Sequence, residues 1–294
     1  MQKHYAGYIG ILGYPNAGKS SVSNVLVGER ISIINKKAQT TRHSIYGMVN
    51  GDNYQMVFCD TPGILEPKYK LQESMMGFVM ESLNESDLIL AVWDINSQES
   101  KDNFIELLSQ SSSKKILVLN KIDLVGDHVV KKEIAFWESL DYFEKVIPLS
   151  ALRRRHFDIL LNEIRNYLPE HPAYFPKDQL TDKSERFIVS EIVREKILAN
   201  YHKEIPYSAE VRVQSFKEEE EIIKIDADVL LERDSQKGII IGKGGRDLKR
   251  LGSQARHDME RFFAKKIYLN LSIKVRENWR NDDNWLKKFG YKKD

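Results

Sequence analysis

Over the first 168 residues, short apolar runs alternate with longer amphipathic stretches. The runs Tyr8–Leu12, Ile45–Val49, Tyr54–Cys59, Leu88–Asp94, Lys115–Leu119 and Lys145–Leu149 predict strands. They are rich in Val, Ile and Leu and alternate little, which fits strands covered on both faces. Between them, spacings of three and four residues predict helices over Lys19–Val27, Leu71–Asn84, Ser100–Ser109, Val129–Leu140 and Phe157–Leu168. Strands and helices in alternation make an α/β domain, a mostly parallel sheet wrapped by helices. Only Asn50-Gly51-Asp52-Asn53 separates two of the strands, too short for a crossover, so it predicts a hairpin and one antiparallel sheet edge.

The pattern then breaks. Pro169, Pro172 and Pro176 fall within eight residues, and proline both removes a backbone donor and restricts its predecessor. Residues 169–180 therefore predict a stiff linker between a domain at 1–168 and a second one. After it come a helix capped by Ser184, strands Ser208–Phe216 and Ile222–Leu231, and a short helix. The turn Gly242-Lys243-Gly244-Gly245, a helix to about Ala264 and a strand Ile267–Val275 complete an α+β domain at 181–276. Residues 277–294 are set apart as a basic C-terminal tail.

Composition narrows the class. With 41% hydrophobic and 30% charged residues the chain reads as globular rather than disordered or fibrous. Its one cysteine, Cys59, excludes a disulfide-stapled scaffold and alternates into a strand as core. No apolar run reaches the ~18 residues of a membrane span. The N-terminal stretch has too short an apolar run for a signal peptide, so a cytoplasmic protein is expected. The net charge of +2 hides a polarity: 217–235 carries 3 basic and 8 acidic residues, and 236–294 carries 16 and 7. A basic block of that size fits either a polyanion partner or a solvated, salt-bridged surface.

The first domain holds a nucleotide site. Gly13-Tyr14-Pro15-Asn16-Ala17-Gly18-Lys19-Ser20, with Ser21 behind it, follows a strand and opens a helix, the setting a phosphate loop needs. Backbone N–H groups there cradle phosphates, Lys19 reaches the β- and γ-phosphates, and Ser20 holds Mg²⁺. Asp60-Thr61-Pro62-Gly63 ends the third strand: Asp60 reaches Mg²⁺ through water and the Gly63 N–H approaches the γ-phosphate. Asn120-Lys121-Ile122-Asp123 ends the fifth, where a carboxylate accepts from guanine N1–H and the 2-amino group, donors adenine lacks. Ser150-Ala151 adds a backbone contact to the base.

In the polar stretch Lys36–Arg42, Thr40 or Thr41 would meet Mg²⁺ only when γ-phosphate is present, a switch. Ile64 stands where Ras-related proteins place a water-orienting glutamine, so hydrolysis is expected to be slow or to use another device. Asn16 either holds a monovalent cation, K⁺, beside the β–γ bridge or merely stabilises its loop.

The second domain points to RNA. Its α-β-β-α-turn-α-β order with Gly242-Lys243-Gly244-Gly245 at the turn is that of the type II KH fold, whose loop clamps a single-stranded backbone. Ile239, Ile240 and Ile241 offer an apolar floor, and Lys243, Arg246, Lys249 and Arg250 supply phosphate-binding charge.

Together, the motifs Gly13–Ser21, Gln39–His43, Asp60–Gly63, Asn120–Asp123, Thr181–Lys196 and Ile241–Gly245, and the ending Trp279…Leu286…Phe289-Gly290-Tyr291, resemble the Era family of bacterial GTPases. The resemblance implies a Mg²⁺-dependent GTPase and selects Thr41 over Thr40 as the switch residue beside Ser20 and Asp60. It gives catalytic roles to Lys19 and Thr41. It further implies binding near the 3′ end of small-subunit rRNA, a part in 30S subunit assembly and peripheral association with the inner membrane; the chain itself is expected to be a monomer. A non-hydrolytic RNA chaperone with structural GTP, or a tRNA-modification or membrane-trafficking G protein, are the competing readings. The chain departs from the family at Leu152-Arg153-Arg154-Arg155, which lacks a glycine usual there.

Overall fold

The computed structural model describes residues 3–292, which divide into two compact units, 3–67 with 75–182 and 68–74 with 183–292. In the first unit the strands are β1 (Tyr5–Leu12), β2 (Ile45–Asn50), β3 (Tyr54–Asp60), β4 (Leu88–Asp94), β5 (Lys114–Asn120) and β6 (Lys145–Pro148). They form one sheet in the order β2-β3-β1-β4-β5-β6, parallel except for the β2–β3 hairpin. The helices are α1 (Lys19–Val27), α2 (Lys70–Glu85, of which the residues to Ser74 are assigned to the second unit), α3 (Lys101–Leu108), α4 (Asp127–Ser139) and α5 (Phe157–Arg165). Ile9, Ile11, Phe58, Leu90 and Val118 pack one sheet face with Val22 and Leu160. Leu12, Ala91, Trp93 and Leu119 pack the other with Val79, Phe104 and Trp137. Cys59 lies in this core, and burial pushes its thiol up to about 11. Two covered faces leave the crevice at the strands' C-terminal ends as the place for a ligand.

The proline segment is stiff but not free. Ala6 N–H donates to the Pro169 carbonyl at 3.1 Å and His171 N–H to the His4 carbonyl at 3.1 Å. The Gln55 side chain, fully buried, accepts from Tyr174 N–H at 2.7 Å and donates to the Phe175 carbonyl at 2.9 Å. The chain then runs beside edge strand β2, where Met48 N–H donates to the Leu180 carbonyl and Tyr46 N–H to Asp182 Oδ1, both at 2.9 Å. A sheet edge carries unpaired donors and acceptors, and this strap satisfies them. The linker expected at 169–180 is thus fastened to the first unit as far as Asp182.

The second unit contains α6 (Glu185–Asn200), α7 (Ile205–Ser208), β7 (Glu210–Glu218), β8 (Ile222–Leu231), α8 (Asp234–Ile241), α9 (Arg246–Phe263), β9 (Lys266–Val275) and α10 (Asp283–Lys288). The sheet order is β7-β8-β9, with β8 antiparallel to β7 and parallel to β9. Ser184 Oγ caps α6 by accepting from Phe187 N–H at 3.3 Å. Leu251, Ala255 and Met259, four apart on α9, meet Val189, Val193 and Ile197 of α6 over Ile225, Ala227 and Val229. Each large apolar side chain so buried contributes roughly 1.5–3 kcal/mol.

The tail expected at 277–294 is folded over its described part. Trp279 is fully buried and donates from Nε1 to the Ser208 carbonyl at 2.9 Å. Tyr291 donates its hydroxyl to Glu210 Oε2 at 2.7 Å. Lys287 and Lys288 are exposed and Arg280 pairs with Glu232, while Trp279 and Tyr291 close the core. Among the described residues no helix is long and apolar enough to cross a membrane.

Candidate functional site

The phosphate loop joins β1 to α1. Gly18 has φ 96°, left-handed, and a Cβ there would come within 2.2 Å of Asn120 Nδ2. At Gly13 a Cβ would come within 2.3 Å of the Val92 carbonyl oxygen, so the loop lies directly on β4. The Tyr14 ring packs edge-on against Trp93, and its carbonyl accepts from Lys19 Nζ at 3.0 Å. Burial lowers the Lys19 pKa to about 8, against the pull of Asp60. An ammonium desolvated this way, with a loop carbonyl as its hydrogen-bond partner, gains most from an arriving anion. Pro15 backs Gly63, whose Cβ would sit 2.8 Å from the Pro15 nitrogen. Asn16 is exposed with φ 63°, a conformation asparagine tolerates.

The groups expected at the metal converge. Ser20 Oγ and Thr41 Oγ1 lie 2.7 Å apart, whereas Thr40 donates to the Lys37 carbonyl at 2.6 Å. Asp60 is fully buried, and among the described residues neither carboxylate oxygen has a hydrogen-bond partner. Burial pushes its carboxyl up; the neighbouring Ser20 and Ser32 hydroxyls and Lys19 act against the shift. Two hydroxyls beside an unsatisfied carboxylate are a hard-oxygen donor set, and they fit Mg²⁺. Thr61 donates to the Ile11 carbonyl at 2.8 Å, fixing the turn that follows Asp60.

A carboxyl with a raised folded-state pKa stabilises the fold while protonated and loses that contribution as pH rises through the shifted value. Ionising Asp60 therefore costs stability when no cation is bound. Asp60→Asn is expected to raise the melting temperature of the nucleotide- and metal-free protein by a few degrees while removing the Mg²⁺ dependence of GTP binding. A lowered melting temperature would contradict this.

At the other end of the crevice, Asn120 is buried and ties two loops together. Its Nδ2 donates to the Ala17 carbonyl at 2.9 Å and its Oδ1 accepts from Ala151 N–H at 3.1 Å. Asp123 Oδ1 accepts from Ser150 Oγ at 2.5 Å, which aims the carboxylate. Lys121, at φ 65°, reaches Asp94 Oδ2 at 2.6 Å. The sequence pointed to Ser150 for its backbone; the hydroxyl and Asp94 gave no motif to find them by.

The loop without the family glycine closes nonetheless. Arg155 N–H donates to the Ser150 carbonyl at 3.0 Å, Arg153 N–H donates to Ser150 Oγ at 3.1 Å, and Arg154 takes φ 52°. Arginine thus occupies the left-handed position that glycine adopts without strain. Ile64 is buried in the core with Leu12 and Val79, its N–H donating to the Gly13 carbonyl at 3.1 Å.

In the second unit, Gly242 (φ 70°), Gly244 (φ 61°) and Gly245 (φ 77°) turn α8 into α9. A Cβ on Gly242 would meet the Asp247 carboxylate at 2.2 Å, while Gly244 and Gly245 face open space. Lys243 and Lys249 are exposed, and among the described residues neither forms an ion pair; Arg246 and Arg250 share Asp247, at 4.0 and 3.3 Å. The apolar floor is smaller than expected. Ile240 is fully buried in the core, leaving Ile239, 56% exposed, and the half-buried Ile241 beside the loop.

Comparison with known proteins follows the same division. A family model described as a 50S ribosome-binding GTPase matches residues 8–121, and a KH-domain model matches 204–280. A protein named GTPase Era from Syntrophus aciditrophicus is 45% identical over 290 residues, covering 97% of this chain and 95% of that one. GTPase Era from Staphylococcus haemolyticus is 42% identical over 297 residues, covering 100% and 99%. Among solved structures, Era in complex with MgGDPNP and nucleotides 1506–1542 of 16S ribosomal RNA matches with TM-score 0.93 at 35% identity, over 98% of this chain and 99% of that one. A variant of Aquifex aeolicus Era bound to GDP·AlF4⁻ matches with TM-score 0.92, also at 35% identity, over 98% and 99%.

Proposed function

We propose a working cycle for this chain, which belongs to the Era family of GTPases and hydrolyses GTP. GTP binding at Gly13–Ser21 sets how readily the Gly242–Gly245 loop takes single-stranded small-subunit rRNA near its 3′ end, and so assists 30S assembly. Support comes from a relative at TM-score 0.93, solved with a GTP analogue and a segment of 16S ribosomal RNA. The protein acts as a cytoplasmic monomer, with peripheral contact at the inner face of the membrane.

Within the site, loop N–H groups and Lys19 hold the phosphates, Asp123 holds the guanine, and Ser20, Thr41 and Asp60 would hold Mg²⁺. When bound, the ion neutralises charge on the β- and γ-phosphate oxygens. Thr41 and the Gly63 N–H order on the γ-phosphate and relax without it. Ile64 supplies only carbon, so no side chain there orients water and turnover is slow.

One observation carries the coupling: Tyr46, five residues after Thr41, holds Asp182 of the strap at 2.9 Å. Asp182 lies three residues before α6 begins at Glu185. A rearrangement at Thr41 could therefore pass along five residues of chain to β2 and across this one hydrogen bond to the strap that leads into α6.

An Asn16 oxygen facing the β–γ bridge would hold K⁺. GTP turnover is expected to be several-fold faster in potassium than in sodium, with Asn16→Ala removing the difference. Equal rates in both salts would contradict the cation role. The RNA assignment is tested by crosslinking in cells at nucleotide resolution. Sites clustered near the 3′ end of small-subunit rRNA, on peptides spanning 241–250, are expected; scattered sites would overturn it.

A further inference from the structure

Asp94 has no part in the motifs that located the nucleotide site; its partner Lys121 belongs to Asn120-Lys121-Ile122-Asp123. Asp94 is the last residue of β4 and lies in register with Asn120, the last of β5. Its carboxylate is divided between two tasks. Oδ1 accepts from Asn96 N–H at 2.9 Å, closing the turn after the strand, and Oδ2 accepts from Lys121 Nζ at 2.6 Å. Ile95 N–H also donates to the Asn120 carbonyl at 3.1 Å, so the two strand ends are stapled by backbone and side chain together. The Lys121 and Asp94 side chains are only 31% and 21% exposed.

We infer that Asp94 is a positioning residue for guanine-nucleotide binding. It holds the four-carbon stem of Lys121 as an apolar wall for the face of the base. The inference rests on the nucleotide site proposed above and extends it. Lys121 stands two residues before Asp123, and its left-handed backbone sets the direction in which the stem leaves the chain. A lysine side chain free in solvent loses rotamer entropy when it is ordered. The ion pair orders it before the ligand arrives, so little of that cost falls on binding. A methylene wall recognises the flat face of a purine and none of its edge groups. Asp94 thus adds affinity for any base in the pocket, while Asp123 reads which base it is.

The test measures affinity for GTP, for GDP and for ribose 5′-triphosphate, which has no base, in wild type and in Asp94→Ala, Asp94→Glu and Lys121→Ala. Asp94→Ala is expected to weaken GTP and GDP equally, on the order of tenfold, and to leave ribose triphosphate unchanged. Asp94→Glu keeps a carboxylate within reach and should recover most of the loss. Adding Asp94→Ala to Lys121→Ala should cost nothing further, because the two act through one stem. The inference is overturned if Asp94→Ala binds GTP like wild type. It is equally overturned if ribose triphosphate weakens by the same factor, which would mean that the carboxylate only supports the fold of the site. Should wild type itself bind GTP no better than ribose triphosphate, the nucleotide reading fails instead.

Discussion

Asp123→Asn is expected to transfer base preference from guanine to xanthine. The carboxylate presents two acceptors, one oxygen already steadied by the Ser150 hydroxyl at 2.5 Å. Guanine answers with N1–H and its 2-amino group; xanthine has a carbonyl in place of that amino group. Asparagine keeps one acceptor and gains a donor, so it meets guanine's amino group with an N–H and leaves both unpaired. A site built to hydrogen-bond a group rejects its mismatch by large factors, and a GTP affinity loss on the order of a thousandfold is expected. Xanthosine triphosphate should gain correspondingly. The Ser150 hydroxyl can donate to either side chain, so the fold should be unaffected. Competition binding with both nucleotides reads the result, and wild-type GTP affinity in the variant would mean the carboxylate does not read the base.

Lys243→Asp is expected to abolish RNA binding and leave GTP turnover intact. Lys243 is exposed between two glycines of positive φ, at the entrance to α9. Removing its ammonium deletes a phosphate contact; the new carboxylate stands near Asp247, which already occupies the first turn of α9. Two negative charges at a helix N-terminus convert an anion site into a repulsive one. An affinity loss of roughly a hundredfold or more is expected at physiological salt, where each phosphate contact on a single strand changes the log–log salt slope by ~0.7. This change leaves the backbone alone, whereas Gly242→Ala would force a Cβ to within 2.2 Å of the Asp247 carboxylate. Unchanged RNA affinity in Lys243→Asp would remove the loop from the binding surface.

Most of the fold was legible because its strands are apolar runs and its turns carry their own chemistry. β4 and β8 begin and end at the predicted residues, and Asn50–Asn53 makes the hairpin. What escaped has a common physical cause. Trp279, Leu286 and Tyr291 are buried, yet they stand among Lys, Arg and Asp at irregular spacing, which reads as a solvated tail. α7, with four residues, is too short to show a period. The strap escaped because its partners are mainly backbone groups, joined by the side chains of Asn50 and of Gln55, buried between Tyr54 and Met56, and no motif marks either. Around the nucleotide the motifs named the residues at 13–20, 60–63 and 120–123. The hydroxyl of Ser150 and the carboxylate of Asp94 act through other side chains, so no local spacing marks them.

The central claim is that nucleotide state and RNA binding are coupled in this chain. Thermodynamic linkage then requires RNA to change nucleotide affinity by the factor with which nucleotide changes RNA affinity. The direct measurement is affinity for a single-stranded oligonucleotide from the 3′ end of small-subunit rRNA. It is made at one fixed salt concentration with the protein nucleotide-free, with GDP, and with a non-hydrolysable GTP analogue. Typical coupling energies of ~1–3 kcal/mol correspond to roughly 5–150-fold tighter binding in the GTP-analogue state. In Asp182→Ala, which removes the side-chain acceptor holding Tyr46 N–H, that ratio should shrink toward one while GTP affinity stays. Three equal affinities in the wild-type protein would contradict the coupling outright, leaving two binding modules that merely share a chain.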